Sequence, residues 1–428
     1  MKIKMSEKYW SFIKDPIHGY VQITENEKAI IDAIPVQRLR RIRQLSGSEY
    51  VYPGANHSRF EHSLGVMYLA RMLCENLPIE LRKEDVEAVT FGGLLHDVGH
   101  GPFSHNFEPL LVKHLSKTHE DVTSWIIEKS ELADKLESIG RDPKEVSKLA
   151  VGELNRPNMN FLDQVIQSTV DVDKMDFIVR DSYHTGTEFG CVDISRLIYT
   201  MGVLEGNLAV NITSLPSLEA FILGRLESFR AIYFHKTVRA VQIMLSEALE
   251  KANEEIGFTS FSTPEEYVLR DDYTTWTDLK RCEASKPFIE NIEKRRLLKC
   301  AYERLFFSRE KIVTSLFTKD TVRKQMEQEI AIKAKVDPEI VWIDVPSLPS
   351  VPYHHSIEVE PMEIPLYQEA LDGSKISVKL DDFSHMINAF QVFMNIIRVY
   401  TKSEFRERVG QATRSIFEGL PTEAKVSF

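Results

Sequence analysis

Apolar residues recur at the spacing of one helix face along most of the first 317 residues. The segments with this pattern are 26–45, 62–77, 84–96, 120–138, 160–184, 217–254 and 288–317. Ahead of them, residues 13–24 place the turn-forming pairs Asp15-Pro16 and His18-Gly19 before the alternating run YVQIT. That arrangement is typical of a turn and a short strand. The sequence therefore predicts a mostly helical body with a small β element near its start.

The pattern changes after about Lys335. Residues 340–380 are rich in proline and contain three short β-like runs, VWIDV, SIEVE and KISVKL. A last helix is predicted from Asp382 to Val399. We therefore expect two regions, a helical domain over residues 1–335 and a smaller α+β region over 336–428 that packs on it.

Charge and cysteine content narrow the class of protein. The 428 residues carry 53 basic and 64 acidic side chains, a net charge of −11, which argues against a general nucleic-acid binder. The four cysteines are widely spaced and form no C-x-x-C pair, so neither a disulfide framework nor a thiolate zinc site is expected. The start MKIKMSEKYW lacks the apolar run of a signal peptide, and no stretch of about 18 apolar residues could span a membrane. We expect a cytoplasmic protein with no membrane partner.

Histidines and acids concentrate in a pattern that suits a metal ion. His62 is followed 34 residues later by the adjacent pair His96-Asp97, within GGLLHDVGHGPFSH. Imidazole nitrogens and carboxylate oxygens together suit a divalent cation, and adjacent ligands at a helix end point to one place. A single histidine is more often a core or surface residue, so the prediction rests on the combination. A fourth ligand is expected from VDVDKMDFIVRD, which offers Asp171, Asp173, Asp176 and Asp181.

Longer strings resemble a known family. They are RFEHSLGV at 59–66, LLHDVGHGPFSH at 94–105, THE at 118–120 and DVDKMDFIVRD at 171–181. Together they resemble the HD superfamily of metal phosphohydrolases, and are most similar to its deoxynucleoside triphosphate triphosphohydrolases, in one of which this core follows a sterile alpha motif. The likeness runs from KDPIHG at 14–19 to about Lys251 and returns in IRVYTKSEF at 397–405. It implies a helical HD core and hydrolysis of deoxynucleoside triphosphates (dNTPs) to deoxynucleoside and inorganic triphosphate.

The resemblance also implies the metal site. Its ligands would be His62, His96, Asp97 and Asp173, holding one divalent ion. Iron, manganese, magnesium, zinc and nickel are all candidates, and the softness of the ligands favours a transition metal. Additional magnesium would accompany the nucleotide.

Catalytic roles follow from the same likeness. The family breaks the ester between the 5′ oxygen and the α phosphorus, so the leaving alkoxide needs a proton. His119 would be the general acid, with Glu120 available to orient it. His100 would support the attacking water or the phosphate, and bracing of its loop is the alternative. Arg59 would bind phosphate through its planar fork, the alternative being a surface ion pair with Glu61.

The substrate pocket is expected on two helices. Lys174, Phe177 and Asp181 stand at i, i+3 and i+7, which places them on one stripe. By resemblance, Lys174 contacts phosphate and Asp181 the sugar 3′-hydroxyl. The resemblance adds phosphate-binding Arg225 and the sugar-pocket residues Gln44, Leu45 and Tyr233. For the aromatic residues, plain helix packing is an equal alternative.

Three positions depart from a member of the family, and they bear on selectivity. That member has tyrosine, histidine and glutamine where this chain has Phe177, Phe229 and Phe234. These changes remove polar groups near phosphate, sugar and base. They therefore put base preference and deoxyribose selectivity in doubt.

A regulatory nucleotide site is a further expectation. Asp32, Gln37 and Arg40 match positions that recognise a guanine activator, and a carboxylate with amide and guanidinium groups suits guanine. Phe12 could line that pocket, and Arg196 could reach its phosphates across a subunit boundary. The alternative is that QRLRRIRQ is a solvated basic helix face. The family implies a GTP or dGTP activator and a homodimer or homotetramer.

Two other functions stay open at this point. One is another HD-type nucleotide phosphatase or phosphodiesterase that uses the same ion. The other is a nucleotide-binding regulator with little turnover. The identity of the released phosphate separates the first from a triphosphohydrolase, and loss of activity on replacing His119 separates the second.

Overall fold

The computed structural model describes residues 9–308, 320–348, 365–386 and 393–417. Over these ranges the chain is mostly helical with small sheets, as the sequence predicts. The described α-helices are α1 (Glu25–Ile31), α2 (Ile34–Arg38), α3 (Arg59–Asn76), α4 (Lys83–Leu95), α5 (Glu108–Leu115), α6 (His119–Lys129), α7 (Glu131–Ser138), α8 (Pro143–Ala150), α9 (Phe161–Ile166), α10 (Val172–Thr185), α11 (Ile194–Thr200), α12 (Leu215–Ser228), α13 (Lys236–Ile256), α14 (Pro264–Val268), α15 (Asp272–Arg281), α16 (Lys286–Glu293), α17 (Asp320–Ala334) and α18 (Arg406–Phe417).

The described strands form three small sheets. They are β1 (Ser11–Asp15), β2 (Gly19–Ile23), β3 (Met201–Leu204), β4 (Asn207–Asn211), β5 (Lys299–Ser308), β6 (Val341–Asp344), β7 (Ser347–Leu348), β8 (Leu366–Glu369), β9 (Lys375–Val378) and β10 (Phe393–Thr401). Strands β1 and β2 make the predicted β element, an antiparallel hairpin. The second sheet has the order β3-β4-β8-β9, with β4 and β8 parallel. In the third, β10 pairs antiparallel with β5 on one side and with β6 and β7 on the other.

Helix α3 lies at the centre of the helical body. One of its faces places Phe60, Leu64 and Met67 in the larger hydrophobic core. Another face places Leu69 and Leu73 in a second core, formed with α4, α9, α10 and α12. A helix that is apolar around most of its circumference is stable only when it is surrounded, so its few polar side chains must find partners inside the protein.

Local capping signals fix where the helices of the site begin. Thr118 accepts a hydrogen bond from the amide of Asp121 and forms a capping box, so α6 starts at His119. Asp171 caps α10 by accepting from the amide of Lys174, which places Asp173 in the first turn. Each such cap contributes about 1 kcal/mol to helix stability. The caps therefore set the positions of two predicted site residues.

Several long helical segments are interrupted in the structure. Residues 120–138 form two helices, because Ser130 ends α6 and caps α7. Residues 160–184 are divided between α9 and α10. The segment 217–254 is broken after α12 by a π-helical turn, Phe229–Tyr233, ahead of α13. Such turns often occur at functional sites because they re-aim side chains.

The helix predicted from Asp382 to Val399 is wrong at its C-terminal end, and residues 387–392 of it lie outside the described residues. Residues 393–401 form β10, the central strand of the third sheet. The run Ile396, Ile397 and Val399 is buried, and β-branched residues between two partner strands favour an extended chain. The helical pattern predicted over 288–317 likewise stops at Glu293, and residues 299–308 pair with β10 as β5.

Other expectations for the C-terminal region are met where the structure describes them. VWIDV contains β6 and KISVKL contains β9, whereas SIEVE at 356–360 lies outside the described residues. Helices α17 and α18 pack against the third sheet in a separate hydrophobic cluster. The boundary after Lys335 stays a prediction, although β5 in that sheet comes from before it. No helix in the described part is long and apolar enough to cross a membrane.

Candidate active site

The four predicted metal ligands converge at the wall of a cavity of about 2040 Å³. His62 lies in the first turn of α3, His96 and Asp97 follow the last residue of α4, and Asp173 lies in the first turn of α10. His62 Nε2 is 3.0 Å from Asp173 Oδ1 and 3.7 Å from Asp97 Oδ2. His96 Nε2 is 3.3 Å from Asp97 Oδ1 and 3.7 Å from Asp173 Oδ1.

This donor set fits a divalent cation. Ligand atoms that share an ion at about 2.0–2.2 Å stand about 3.0–3.5 Å from one another, close to the observed separations. None of the described residues completes a hydrogen bond with the buried Nε2 atom of His96. A buried nitrogen without a partner is costly unless something else binds there. His62, His96 and Asp173 are in fact spaced closely enough to hold one ion.

The charges of the site favour the same conclusion. Burial opposes ionisation of Asp97, but the positive charges of Arg59 and His96 outweigh it and hold the pKa well below its usual range. Burial alone lowers the pKa of His62, and hydrogen bonds to Asp173 and Asp176 outweigh burial and raise that pKa to about 10. A proton on His62 and a cation compete for one place, so cation binding would release that proton.

Two further histidines lie beside the ligands. The ring of His100 stacks on that of His119, with centroids 4.0 Å apart, and His100 Nε2 is 3.3 Å from Asp97 Oδ1. Gly99 allows the two backbone segments that carry these histidines to approach each other, because a Cβ atom there would lie 2.1 Å from the carbonyl oxygen of His119. The backbone of the HD segment is thus packed directly on the first turn of α6.

The carboxylate that binds His119 is Glu108 rather than the predicted Glu120. Nδ1 of His119 lies 2.6 Å from Oε1 of Glu108, the first residue of α5. Glu120 instead accepts from the hydroxyl of Thr118 at 3.2 Å. Adjacent residues of a helix point in different directions, so Glu120 does not face the ring of its neighbour.

The two stacked histidines have opposite charge preferences. Burial and the nearby Arg59 hold the pKa of His100 well below its usual range. Burial also lowers the pKa of His119, but the hydrogen bond and charge of Glu108 outweigh it, so this pKa is raised. Neighbouring groups whose pKa values are pushed apart are suited to different roles in acid–base chemistry.

Arg59 is a buried residue of the site and not a surface ion pair with Glu61. Its guanidinium donates to the carboxylate of Asp97 and, through Nε, to the hydroxyl of Ser104 at 2.8 Å. Ser104 in turn donates to the carbonyl oxygen of Arg43. Arg59 therefore compensates the charge of Asp97 and lines the cavity at the same time.

The predicted stripe on α10 faces the cavity. Lys174, Phe177 and Asp181 all line it, and Lys174 Nζ donates to Asp171 Oδ2 at 2.6 Å. Asp181 is bound on both sides, by His57 Nε2 at 2.7 Å and by the hydroxyl of Tyr233. His57, which does not itself line the cavity, thus holds the pocket residue Asp181 in place.

The remaining predicted pocket residues also line the cavity. These are Gln44, Leu45, Arg225 and Tyr233. Among the described residues, none binds the buried Oε1 atom of Gln44, which leaves an acceptor available to a ligand. The ring of Phe229 lies 4.8 Å from that of Tyr233 and under the guanidinium of Arg225. The aromatic residues therefore both pack together and shape the pocket.

Family models match most of the chain. The model of the HD domain matches residues 59–180, which contain the predicted metal ligands. The model of the HD associated region matches residues 192–427, more than half of the chain. The chain belongs to the HD-domain family. It is accordingly an HD-type phosphohydrolase, as its motifs predict.

Relatives of this HD-domain protein include named enzymes. The deoxynucleoside triphosphate triphosphohydrolase SAMHD1 homolog of Dictyostelium discoideum is 28% identical over 452 residues, covering 99% of this chain and 84% of the relative. The enzyme SAMHD1 of Homo sapiens is 34% identical over 284 residues, covering 58% of this chain and 45% of that protein. The chain thus matches less than half of the human protein's length. A solved structure of a hypothetical protein from Aquifex aeolicus has a TM-score of 0.75 and 27% identity, covering 94% of this chain and 99% of that one.

Residues of the predicted regulatory site lie on the surface of this HD-domain protein. Arg40 Nε donates to Gln37 Oε1 at 2.9 Å, and the exposed Asp32 pairs with Lys28. The ring of Phe12 is 58% exposed. Arg196 is on α11, where it donates to the carbonyl oxygen of Thr213. Asp32, Gln37 and Arg40 therefore lie in or next to α2. The role of the whole set stays a prediction.

Proposed function

We propose that this protein hydrolyses dNTPs to deoxynucleoside and inorganic triphosphate. The observation that carries the proposal is that His119, with its raised pKa, faces the same cavity as a cluster of two imidazoles and two carboxylates. Cleavage of a phosphate ester that releases an alkoxide requires a cation site with a proton donor beside it. The two relatives named as triphosphohydrolases support the choice of substrate.

Four residues would hold the cation, namely His62, His96, Asp97 and Asp173. When bound, a divalent ion supplies Lewis-acid chemistry, neutralising charge on a phosphate oxygen and making water more acidic. Arg59 keeps Asp97 ionised and oriented, because its guanidinium donates directly to that carboxylate. Lys174 and Arg225 line the same cavity, where they would compensate the charge of the triphosphate and of the magnesium-bound nucleotide.

His119 would protonate the leaving group. Water attacks the α phosphorus and gives up one proton to solvent, the bond from phosphorus to the 5′ oxygen breaks, and that oxygen takes a proton from His119, which solvent then protonates again. Glu108 holds Nδ1 at 2.6 Å, which stabilises the charged ring and aims Nε2 away from the carboxylate. His100, kept neutral by burial and by Arg59, would accept a hydrogen bond from the attacking water.

The sugar would bind at the other end of the α10 stripe. Asp181 is held by His57 and Tyr233, so its carboxylate is fixed where it can accept the 3′-hydroxyl. Gln44 would add its unpaired acceptor, and Leu45 with the ring of Tyr233 would close the pocket against a 2′-hydroxyl. Phe177 adds an apolar edge, 6.2 Å from the ring of Tyr233.

A guanine nucleotide would activate the enzyme at a second site. The proposal rests on the exposed Asp32 and Arg40 and the half-buried Gln37, whose carboxylate, guanidinium and amide complement the edge of guanine. Phe12 would contribute an exposed ring to that site. Arg196 lies on another helix, so it would join the site from a second subunit of a homodimer or homotetramer.

Product analysis tests the proposed reaction. The protein is incubated with each dNTP and NTP, with and without GTP, across several divalent ions, in water enriched in ¹⁸O. Anion-exchange chromatography is expected to show deoxynucleoside and triphosphate, with the heavy oxygen in triphosphate. Release of orthophosphate or pyrophosphate instead identifies another HD-type phosphatase or phosphodiesterase. Tight nucleotide binding without any product identifies a regulator.

The pH dependence of hydrolysis should depend on Glu108. Because Glu108 raises the pKa of His119, the acid form persists to higher pH and is lost as pH rises through that pKa. In Glu108→Gln the carboxylate is gone, so the alkaline limb of the kcat–pH profile is expected to move to lower pH. The control is Glu120→Gln, which removes the adjacent carboxylate and is expected to move the limb less. A larger displacement in the control would return the orienting role to Glu120.

A further inference from the structure

A second carboxylate of α10, Asp176, lies behind the candidate metal site. Its Oδ2 atom is 2.8 Å from Nδ1 of His62, the ring nitrogen on the opposite side from the ligand atom. The side chain of Asp176 is fully buried, and it does not line the cavity. It therefore contacts a predicted ligand without being able to contact the substrate.

Asp176 is the centre of a buried network of charges. Oδ1 accepts from His18 Nε2 at 2.6 Å and from Arg180 Nη2 at 2.9 Å, and Oδ2 also accepts from Arg180 Nε at 2.8 Å. Arg180 Nη1 continues to Asp15 Oδ2 at 2.8 Å. Removing one partner of such a buried group is strongly destabilising, because a charge is left uncompensated. A buried charge network of this kind therefore indicates a specific role for Asp176.

The local sequence is adapted to this network. Asp173, Asp176 and Arg180 stand at i, i+3 and i+7 of α10, so the candidate ligand and its neighbours share one face. On α3, Gly65 is three residues after His62. A Cβ atom there would lie 1.9 Å from Asp176 Oδ1 and 2.5 Å from Arg180 Nη2. A glycine is thus required for α3 and α10 to approach at this point.

The network dictates which nitrogen of His62 carries a proton. An ionised carboxylate can only accept, and the charged Arg180 keeps Asp176 in that form. His62 Nδ1 must then donate, so Nε2 is the ring atom left to bind a cation, on the side of Asp97 and Asp173. Metal-binding histidines commonly need such a partner behind them to fix tautomer and ring orientation.

The hairpin of β1 and β2 completes the network from outside. Asp15 Oδ1 accepts from the amides of Ile17 and His18, each at 2.8 Å, which shapes the turn between the strands. The ring of His18 lies 5.4 Å from that of Tyr68 on α3. The turn is therefore joined to the metal-binding helix through both charge and packing.

We propose that Asp176 is the positioning residue that sets His62 for a divalent cation, and that the β1–β2 turn, through His18 and Asp15, is part of the same unit. This inference rests on the metal site of the proposed function. It follows that cation binding and docking of the turn stabilise each other, because both require the same orientation of Asp176.

The inference is tested by measuring the affinity of the full chain for Mn²⁺ alone, in competition with a chromophoric chelator. Asp176→Asn is expected to weaken binding by about 10–100-fold, and His18→Ala, which removes one of four donors, by a smaller factor. The matched control is Asp163→Asn, another buried carboxylate, which binds the amides of Leu154 and Asn155 away from the site. It should keep the affinity of the unmodified protein. Far-ultraviolet circular dichroism checks folding, and His18→Ala carries the test if Asp176→Asn does not fold.

Hydrogen exchange provides a readout apart from affinity. In the unmodified protein, Mn²⁺ is expected to slow exchange of the amides of Ile17 and His18, and this protection should be lost in Asp176→Asn. Wild-type affinity in both network variants, or no change of exchange with Mn²⁺, would overturn the inference and leave the proposed function standing. Failure of the unmodified protein to bind any divalent ion would instead remove the metal site itself.

Discussion

Alanine at both His96 and Asp97 is expected to abolish metal retention and hydrolysis together. The two residues are half of the four predicted ligands, whose donor atoms stand 3.0–3.7 Å from one another. A metal ion contributes several kcal/mol to the stabilisation of charge at phosphorus. Since 1.4 kcal/mol is a factor of ten, a loss of about 4 kcal/mol lowers the rate by roughly 10³-fold or more. Metal content after dialysis and the rate of triphosphate release are the two measurements.

A surface pair provides the control for this double variant. His114 Nε2 lies 3.3 Å from Oε1 of Glu250, and both side chains are substantially exposed. Alanine at these two positions removes the same chemical groups and should change neither metal content nor rate. Because Asp97 neutralises the buried Arg59, thermal unfolding must show that the double variant is folded at the assay temperature. A folded double variant that keeps its metal and its activity would refute the site.

His119→Ala is expected to lower kcat by about 10²–10⁴-fold while metal content stays the same. The imidazole is 2.6 Å from Glu108 and stacks on His100, but it is not among the four converging ligands. Its loss should therefore affect proton transfer and not cation binding. The measurement is steady-state hydrolysis of a dNTP, together with metal analysis of the same sample.

The leaving group distinguishes a general acid from a residue that only positions substrate. An aryl triphosphate releases a phenolate, which needs little protonation, so the deficit of His119→Ala should shrink with that substrate. An equal deficit on both substrates would argue for positioning. Unchanged turnover of dNTPs in the variant would exclude His119 from the chemistry.

The sequence predicts the helical body well because burial imposes a periodic pattern. Helices α3, α4 and α10 overlap predicted segments, and each has one or more faces in a hydrophobic core. The failure at 393–399 has a different physical origin. Apolar residues stand next to one another there, as in Ile396-Ile397, and a buried helix and a central strand share such short apolar runs. The partner strands β5 and β6 decide between them, and they lie far away in the chain.

The candidate site could be predicted where residues lie inside recognisable strings. His62, His96, Asp97 and Asp173 do so, and the structure brings them together. Glu108 was missed as the partner of His119 because the pairing joins the starts of two helices 11 residues apart. Asp176 is one of four acids in VDVDKMDFIVRD, but only the packing of α3 on α10 shows that it lies behind His62. Contacts between residues that are set by helix packing give no signal in the sequence of either segment alone.

The pairing of β5 with β10 has a consequence for how this chain is made. Residues 299–308 leave the ribosome well before 393–401, and until then β5 has no central partner. Such long-range pairing forms slowly, and the edge of β5 stays exposed until β10 pairs with it. Cutting the chain near Lys335 would make that exposure permanent. The helical body and the C-terminal sheet are therefore joined by a strand that lies far from its partner β5 along the chain.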